Sequence, residues 1–346
     1  MRFVFTDEQL MMTETVQAFL DAHCTIADLR KLSAAGHSHD AARWGALVDL
    51  GLLGALVPDA LDGLGLAAPD VIGIAEACGG ALLPEPLIET MGVVLPALVA
   101  LGQGDLVQAV LAGDATVSLS HPLALLAEGA DRATHHLVMG GGRVVLCAAD
   151  QAKLTPQPGI DPLRRLFTVA PGQGAILLAE GQAAAEGIAR ATDAGALFAA
   201  AQLLGIAQRA IRISVAYACD RNQFGKPIGS YQAIKHHLAS AQVAVEFARP
   251  VLHAASAMPM GAGGTASARI SQAKFACGRA ADQACRSAIQ VHGGMGYSDE
   301  GNVHLFLKRA LALRGAWGTE TDHRNRYAAR LDTLAYGPDT LFLQEA

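Results

Sequence analysis

The chain has 346 residues, of which 51% are hydrophobic, 5% aromatic and 17% charged, with a formal net charge of −6. That length holds one large domain or two to three small ones. The modest negative charge, with no basic stripe interleaved with aromatics, excludes a nucleic-acid-binding surface of the usual kind, and abundant Ala and Leu favour packed helices.

The spacing of Leu10, Met11, Val16, Phe19 and Leu20 predicts a helix over residues 8–22. A second follows over 42–50, with Gly51 placed to cap it. Residues 57–65, which include Gly63 and Gly65, read as a turn-rich loop, and helices resume over 70–78 and 84–101. The texture changes near Asp114. Residues 116–120, 137–139 and 144–147 read as short strands, and Gly140, Gly141 and Gly142 form a hairpin turn between the last two. These glycines are not a phosphate loop, because no Lys-Ser/Thr follows and no helix opens there. Residues 167–169 and 175–178 continue the strand-like region. From about Ala183 the helical period returns, with a long apolar helix over 197–218 and another over 235–249 after a break at Gly229-Ser230. A Pro/Gly loop covers 258–264. A last long helix, 265–291, carries a polar stripe at Ser271, Lys274, Gly278, Asp282 and Arg286. The expected fold class is mainly α with a small central β module. It divides into a helical domain over residues 1–113, a shortened β domain over 114–183 and a helical bundle over 184–346, with Trp44 in a packed core.

Residues 1–9 include Asp7 and Glu8 and lack the apolar run of a secretion signal. The most apolar stretch, 91–101, is broken by Pro96 and too short to span a bilayer. A cytoplasmic chain without membrane insertion is expected. The cysteines Cys24, Cys78, Cys147, Cys219, Cys277 and Cys285 form no CxxC pair and read as reduced core thiols. Twelve histidines, including His135-His136 and His236-His237, show no metal-ligand spacing, so no metal site is expected.

Two motifs carry chemistry. The stretch Arg221-Asn222-Gln223-Phe224-Gly225-Lys226-Pro227-Ile228-Gly229-Ser230-Tyr231-Gln232 resembles the acyl-CoA dehydrogenase signature R-x-Q-F-G-x-x-I-x-x-[FY]-Q. Gln290-Val291-His292-Gly293-Gly294-Met295-Gly296-Tyr297 resembles that family's Q-x-x-G-G-x-G-[YF], and Gly318-Thr319 its Gly-Thr pair. Looser agreement runs through residues 6–9, Trp44, Gly51, Pro58, Gly63 and Glu76. The residue types have physical uses. The Arg221 guanidinium fork suits a diphosphate, where a lone arginine at a helix end would serve only the helix dipole. Phe224 and Gly225 shape a turn. Gln290 offers both donor and acceptor, and Gly293, Gly294 and Gly296 let backbone approach a ligand; alone, they would read as a helix stop.

The resemblance implies an acyl-CoA dehydrogenase-like fold, FAD as cofactor and an acyl-CoA substrate. It assigns cofactor contacts to Arg221, Phe224, Gln232, Gln290, Gly293, Gly294 and Thr319, the two long motifs reaching a neighbouring subunit's FAD. The family removes an α-proton with a carboxylate while the β-hydrogen leaves as hydride. Its usual Glu position is Trp317 here, and the position used by a minority is Gly195. Indole has no acceptor for a proton, so no catalytic residue is assigned. Asp193, Glu320 and Asp322 lie nearby in sequence and read first as capping or surface groups. Residues 118–129 show no match to the family's flavin-contacting stretch. The resemblance therefore implies one subunit of a heteromeric α2β2 acyl-CoA dehydrogenase, similar to those of bacterial steroid side-chain degradation, paired with a paralogue that carries the Glu. The alternatives are a homo-oligomeric dehydrogenase with a relocated base and a non-enzymatic paralogue.

Overall fold

Thr6 opens the first helix with a reciprocal cap: its hydroxyl accepts from Gln9 N, and the Gln9 side chain accepts from Thr6 N. In the computed structural model, which describes residues 4–331, this starts α1 (Asp7–His23). Thr25 and Asp28 repeat the device at α2 (Ile26–Ala34). Hydrophobic spacing does not announce α2, since Leu29 is its one buried residue. Asp40 accepts from Ala42 N and Arg43 N to begin α3 (Ala41–Asp49), and α4 (Ala68–Ala81) follows the loop. The apolar run over 84–101 is one helix with a wide turn. α5 (Leu87–Glu89) passes through a π turn (Thr90–Val94) into α6 (Leu95–Ala100), which admits Pro96 near its start. α7 (Gly104–Leu111) closes the helical part.

The β module has two sheets. β1 (Val117–Ser120) pairs parallel with β3 (His135–Gly140), β3 antiparallel with β4 (Arg143–Ala148), and β4 antiparallel with β7 (Ile176–Glu180). β2 (Ala127–Glu128), β6 (Leu166–Pro171) and β5 (Ala152–Gln157) form the second, in that order. The predicted glycine hairpin joins β3 to β4, with Gly141 and Gly142 both at positive φ. β1 is buried at all four positions, because it packs against both the π turn and β2 of the second sheet. β5 alternates Lys, Thr and Gln toward solvent and leaves too weak an apolar pattern to be read.

α8 (Gly181–Asp220) is a single 40-residue helix. By length and composition it could cross a membrane, but 83% of its most apolar window is buried in this fold. β8 (Asn222–Gln223) and β9 (Lys226–Pro227) make a short hairpin before α9 (Gln232–Ser256), which continues through Pro250. α10 (Gly264–His292), the single turn α11 (Gly294–Tyr297), α12 (Val303–Gly315) and α13 (Glu320–Leu331) complete the order. α8, α9 and α10 pack side by side, α12 and α13 pack on α10, and α4 lies across α8. The fold class is mainly α with a small β module, as the periodicity predicts. Trp44 is in the core. Five cysteines are buried free thiols, while Cys219 is exposed, a correction to the expectation that all six are core groups.

One buried ion pair ties the amino-terminal helices together. Arg43 Nε and Nη2 donate to the two Glu85 oxygens at 2.8 and 2.7 Å, Arg43 Nη1 donates to His23 O at 3.1 Å, and Asp40 N donates to Glu85 Oε1 at 2.8 Å. Removing one partner leaves the other charge buried, so Glu85→Ala should cost about 3–5 kcal/mol in urea unfolding. A loss below about 1 kcal/mol would show that water replaces the carboxylate.

Candidate functional site

α8, α9 and α10 run in successive opposite directions, so α8 and α10 end on the same side. The stacked rings of Tyr217 and His292, with centroids 4.2 Å apart, hold those ends together. Arg221 caps the C-terminus of α8, Gly293 caps α10, and Gln232 begins α9. Between Arg221 and Gln232, Phe224 (φ 54°) and Gly225 (φ 81°) form the two-residue turn of the β8–β9 hairpin. A bulky residue there is strained, and the hairpin is braced to hold it. Ile228 N donates to Arg221 O at 2.8 Å, Tyr231 Oη donates to Gln223 O at 3.3 Å, and Lys226 Nζ sits 4.3 Å from the Tyr231 ring centroid. The result holds Phe224 out at 91% exposure. Arg221, Gln232 and Gln290 are exposed, and their side chains have no hydrogen-bond or ion-pair partner among the described residues. A Cβ added to Gly293 would meet nothing within 4 Å, and one on Gly294 only Tyr297 Oη at 3.8 Å. These groups form an open, unpartnered cradle whose chemistry fits an adenosine diphosphate. Sequence reasoning missed Arg30, which steadies the segment beyond it. Its Nε donates to Asn302 Oδ1 at 3.0 Å, its Nη1 to Asp299 O at 2.5 Å and its Nη2 to Gly301 O.

Thr319 lies elsewhere. It caps α13, its hydroxyl donating to Asp322 Oδ2 at 2.7 Å and accepting from Asp322 N. Its neighbour Trp317 meets α8 at Gly195, 26 residues before Arg221 (221 − 195), or about 39 Å along the helix at 1.5 Å per residue. Six of the seven assigned cofactor residues thus share one end of the bundle, and Thr319 belongs to a second region.

That second region is closed by an indole. Trp317 is buried at φ 61°, with its carbonyl 2.9 Å from His323 Nε2. Its ring lies so close to α8 that a Cβ on Gly195 would fall 2.0 Å from Trp317 Cδ2. The two positions at which the resemblance places the base are therefore in contact, and the indole fills the space between them. His121 packs on its other side, with ring centroids 5.0 Å apart. His121 Nδ1 accepts from Leu123 N, and its Nε2 lies 3.1 Å from Ile188 O, so the proton sits on Nε2. Burial pushes His121 down to about 4, leaving it neutral and structural. The nearby acids are also committed. Asp193 is fully buried and binds Arg326 at 2.6 Å, Ser267 Oγ at 2.6 Å and Gly261 N at 3.0 Å. Glu320 pairs with Arg314, and Asp322 caps α13.

Behind Trp317 is a cavity of about 50 Å³, lined by Glu85, Glu89, Gly195, Phe198 and Arg309. It has room for a few waters and none for an acyl thioester. The β5–β6 loop helps fill the cleft: Leu163 is buried, Asp161 pairs with Arg309, and Arg164 binds Glu128 at 2.8 Å. On the other side of Trp317 an open cleft of about 340 Å³ is walled by Leu123, Leu125, Ala312, Trp317 and Thr319. Its wall is largely aliphatic, and the Thr319 hydroxyl and Arg164 are already bonded. Glu89 lines both spaces. Burial, aided by the charge of Glu128 and opposed by Arg164, pushes its carboxyl up to about 8. The sequence signal for it was an acid, one of two with Glu85, inside the apolar run over 84–101.

A helical domain, a small β module and a helical bundle built on one long helix define the acyl-CoA dehydrogenase fold. The chain superposes on a chain of the ChsE4-ChsE5 complex from Mycobacterium tuberculosis with a TM-score of 0.84 at 22% identity, covering 97% of this chain and 100% of that one. Butyryl-CoA dehydrogenase from Megasphaera elsdenii gives 0.83 at 19% identity, covering 96% and 100%. Residues 6–116 match the acyl-CoA dehydrogenase N-terminal domain and residues 186–331 the C-terminal domain. Acyl-CoA dehydrogenase IpdE2 of Mycolicibacterium smegmatis is 31% identical over 94% of this chain and 99% of the relative, and IpdE2 of Mycobacterium tuberculosis is 30% identical over 88% and 91%. The chain belongs to the acyl-CoA dehydrogenase family, a family of FAD-dependent oxidoreductases.

Two outcomes follow from this geometry. Gly195→Ala should destabilise by at least about 1–3 kcal/mol through overpacking, and Trp317→Ala by about 3–5 kcal/mol through the void it leaves. In the double variant the Gly195→Ala penalty should vanish, so the two costs are strongly non-additive; simple addition would show that they do not touch. Glu89 gives a pH signature. Its folded value of about 8 exceeds its ordinary 4.5, so the folded state holds a proton that the unfolded chain has released. Stability contributed at this site therefore falls as pH rises between those values. Glu89→Gln should gain in Tm over the parent from pH 5 to pH 7, and a constant difference would place the carboxyl in water.

Proposed function

We propose that this chain is the base-lacking subunit of a heteromeric acyl-CoA dehydrogenase, lending its bundle end to an FAD shared with a related subunit that carries the catalytic Glu. The observation that carries this reading is the Trp317 indole lying on Gly195, which leaves neither of the two base positions a carboxylate and packs the space between them. The exposed groups at the other end of α8 support it. Arg221 would hold the diphosphate, Gln232 and Gln290 would bond the adenosine or ribityl edges, and Gly293 and Gly294 would admit the cofactor's close approach. When bound, FAD supplies the hydride acceptor for α,β-dehydrogenation of an acyl-CoA thioester. Two of the similar structures are named as two-component assemblies, ChsE4-ChsE5 and the steroid acyl-CoA dehydrogenase Tcur3481-Tcur3483. A steroid-derived acyl-CoA is accordingly the substrate class we assign. The free thiols suit a reducing cytoplasm.

A second reading, a homo-oligomeric enzyme with a relocated base, is favoured by one observation. Glu89 is a carboxyl with no hydrogen-bond partner among the described residues, at the junction of the two spaces around Trp317, and its raised value suits a general base near neutral pH.

Flavin stoichiometry and turnover separate the readings. The chain alone should hold no stoichiometric FAD and turn over no acyl-CoA. With its partner it should give one FAD per heterodimer and activity. In that complex Arg221→Ala should weaken FAD retention by about 1.5–3 kcal/mol, and Trp317→Glu should add no activity. One FAD per chain in an active homo-oligomer, with activity lost in Glu89→Gln, would replace this reading with the second.

A further inference from the structure

A cavity of about 420 Å³ opens between α1, α4 and α8, away from both regions described above. Its size is that of a small-molecule site. Leu10, Leu20, Ile26 and Ala77 make one side apolar. Across from them α8 presents Arg209 and Arg212, three residues apart and so on one face of the helix.

Neither arginine has a hydrogen-bond or ion-pair partner among the described residues. Arg209 is half-buried, and its pKa is lowered by burial and then by the like charge of Arg212, against the pull of Asp21. The acids in the cavity bond to neither arginine. Glu76 is bound by Arg249 at 3.3 Å and by His253 at 3.2 Å. Asp21 is exposed on the rim and accepts from Gln17 Nε2 at 3.0 Å. Two guanidinium groups beside an apolar wall, with their donors unused, make a complementary surface for an oxyanion carrying an apolar body.

We propose that the cavity between α1, α4 and α8 binds an amphipathic oxyanion, with its carboxylate or phosphate forked between Arg209 and Arg212 and its apolar body against Leu10, Leu20 and Ala77. This site is separate from the bundle-end cradle and does not rest on the proposed function. Titration calorimetry of the full chain with decanoate, decyl phosphate and inorganic phosphate tests it. One amphiphile should bind at one per chain, at least tenfold more tightly than inorganic phosphate. Arg209→Gln and Arg212→Gln should each weaken it at least tenfold, and Arg221→Ala should leave it unchanged. Preference for decanoate assigns a carboxylic acid, and preference for decyl phosphate a phosphate ester. Arg212 is exposed, so its substitution reads binding without threatening the fold. The proposal fails if neither amphiphile binds below millimolar concentration, if the arginine variants bind as tightly as the parent, or if Arg221→Ala is the substitution that abolishes binding.

Discussion

The contact between the Trp317 indole and the bare backbone at Gly195 organises the second half of this molecule. A Cβ at residue 195 would sit 2.0 Å from the ring, so the indole and the glycine require one another. The ring lies on α8 only because Trp317 adopts a positive φ, with its carbonyl facing His323 and the next amide bound to Leu123 O at 3.2 Å. His121 closes the remaining side. A carboxylate at either position would need water or a substrate beside it. The indole ring instead packs on the bare backbone at Gly195 and on the His121 ring.

Because the same long helix carries Gly195 in its first half and Arg221 just past its C-terminus, the consequences are separated by about 39 Å. Around Gly195 polar groups have been absorbed into the fold: Asp193 by three donors, Thr319 by its cap, Arg164 by Glu128. At the C-terminal end they are left free. Phe224 is held outward in a strained turn, and Arg221, Gln232 and Gln290 face solvent. Side chains that finish a site in a neighbouring subunit are exposed in this way, whereas residues of a self-contained site converge on one another.

The helical fold and the bundle-end cradle were legible early. Local chemistry specifies both: helical spacing over α1, α8 and α10, a glycine turn between β3 and β4, and two contiguous motifs at Arg221 and Gln290. α2 escaped because it buries one residue, β5 because it faces solvent, and the wide turn over Thr90–Val94 because a π turn shares the apolar pattern of an α-helix. The acids near the vacant base positions could be placed only by their partners, which lie up to 133 residues away (326 − 193).

By itself the sequence determined the long helices, the glycine hairpin between β3 and β4 and the absence of a carboxylate at residues 195 and 317, since each depends on residues close in the chain or on a residue's own chemistry. The tertiary structure alone decided that those two positions touch, that the indole occupies the cleft, that Glu89 is carried into its wall and that Arg209 and Arg212 share an unneutralised cavity. Each of these depends on distances between segments far apart in sequence. Those distances are set by how α1, α4, α8 and α12 pack, which no single segment encodes.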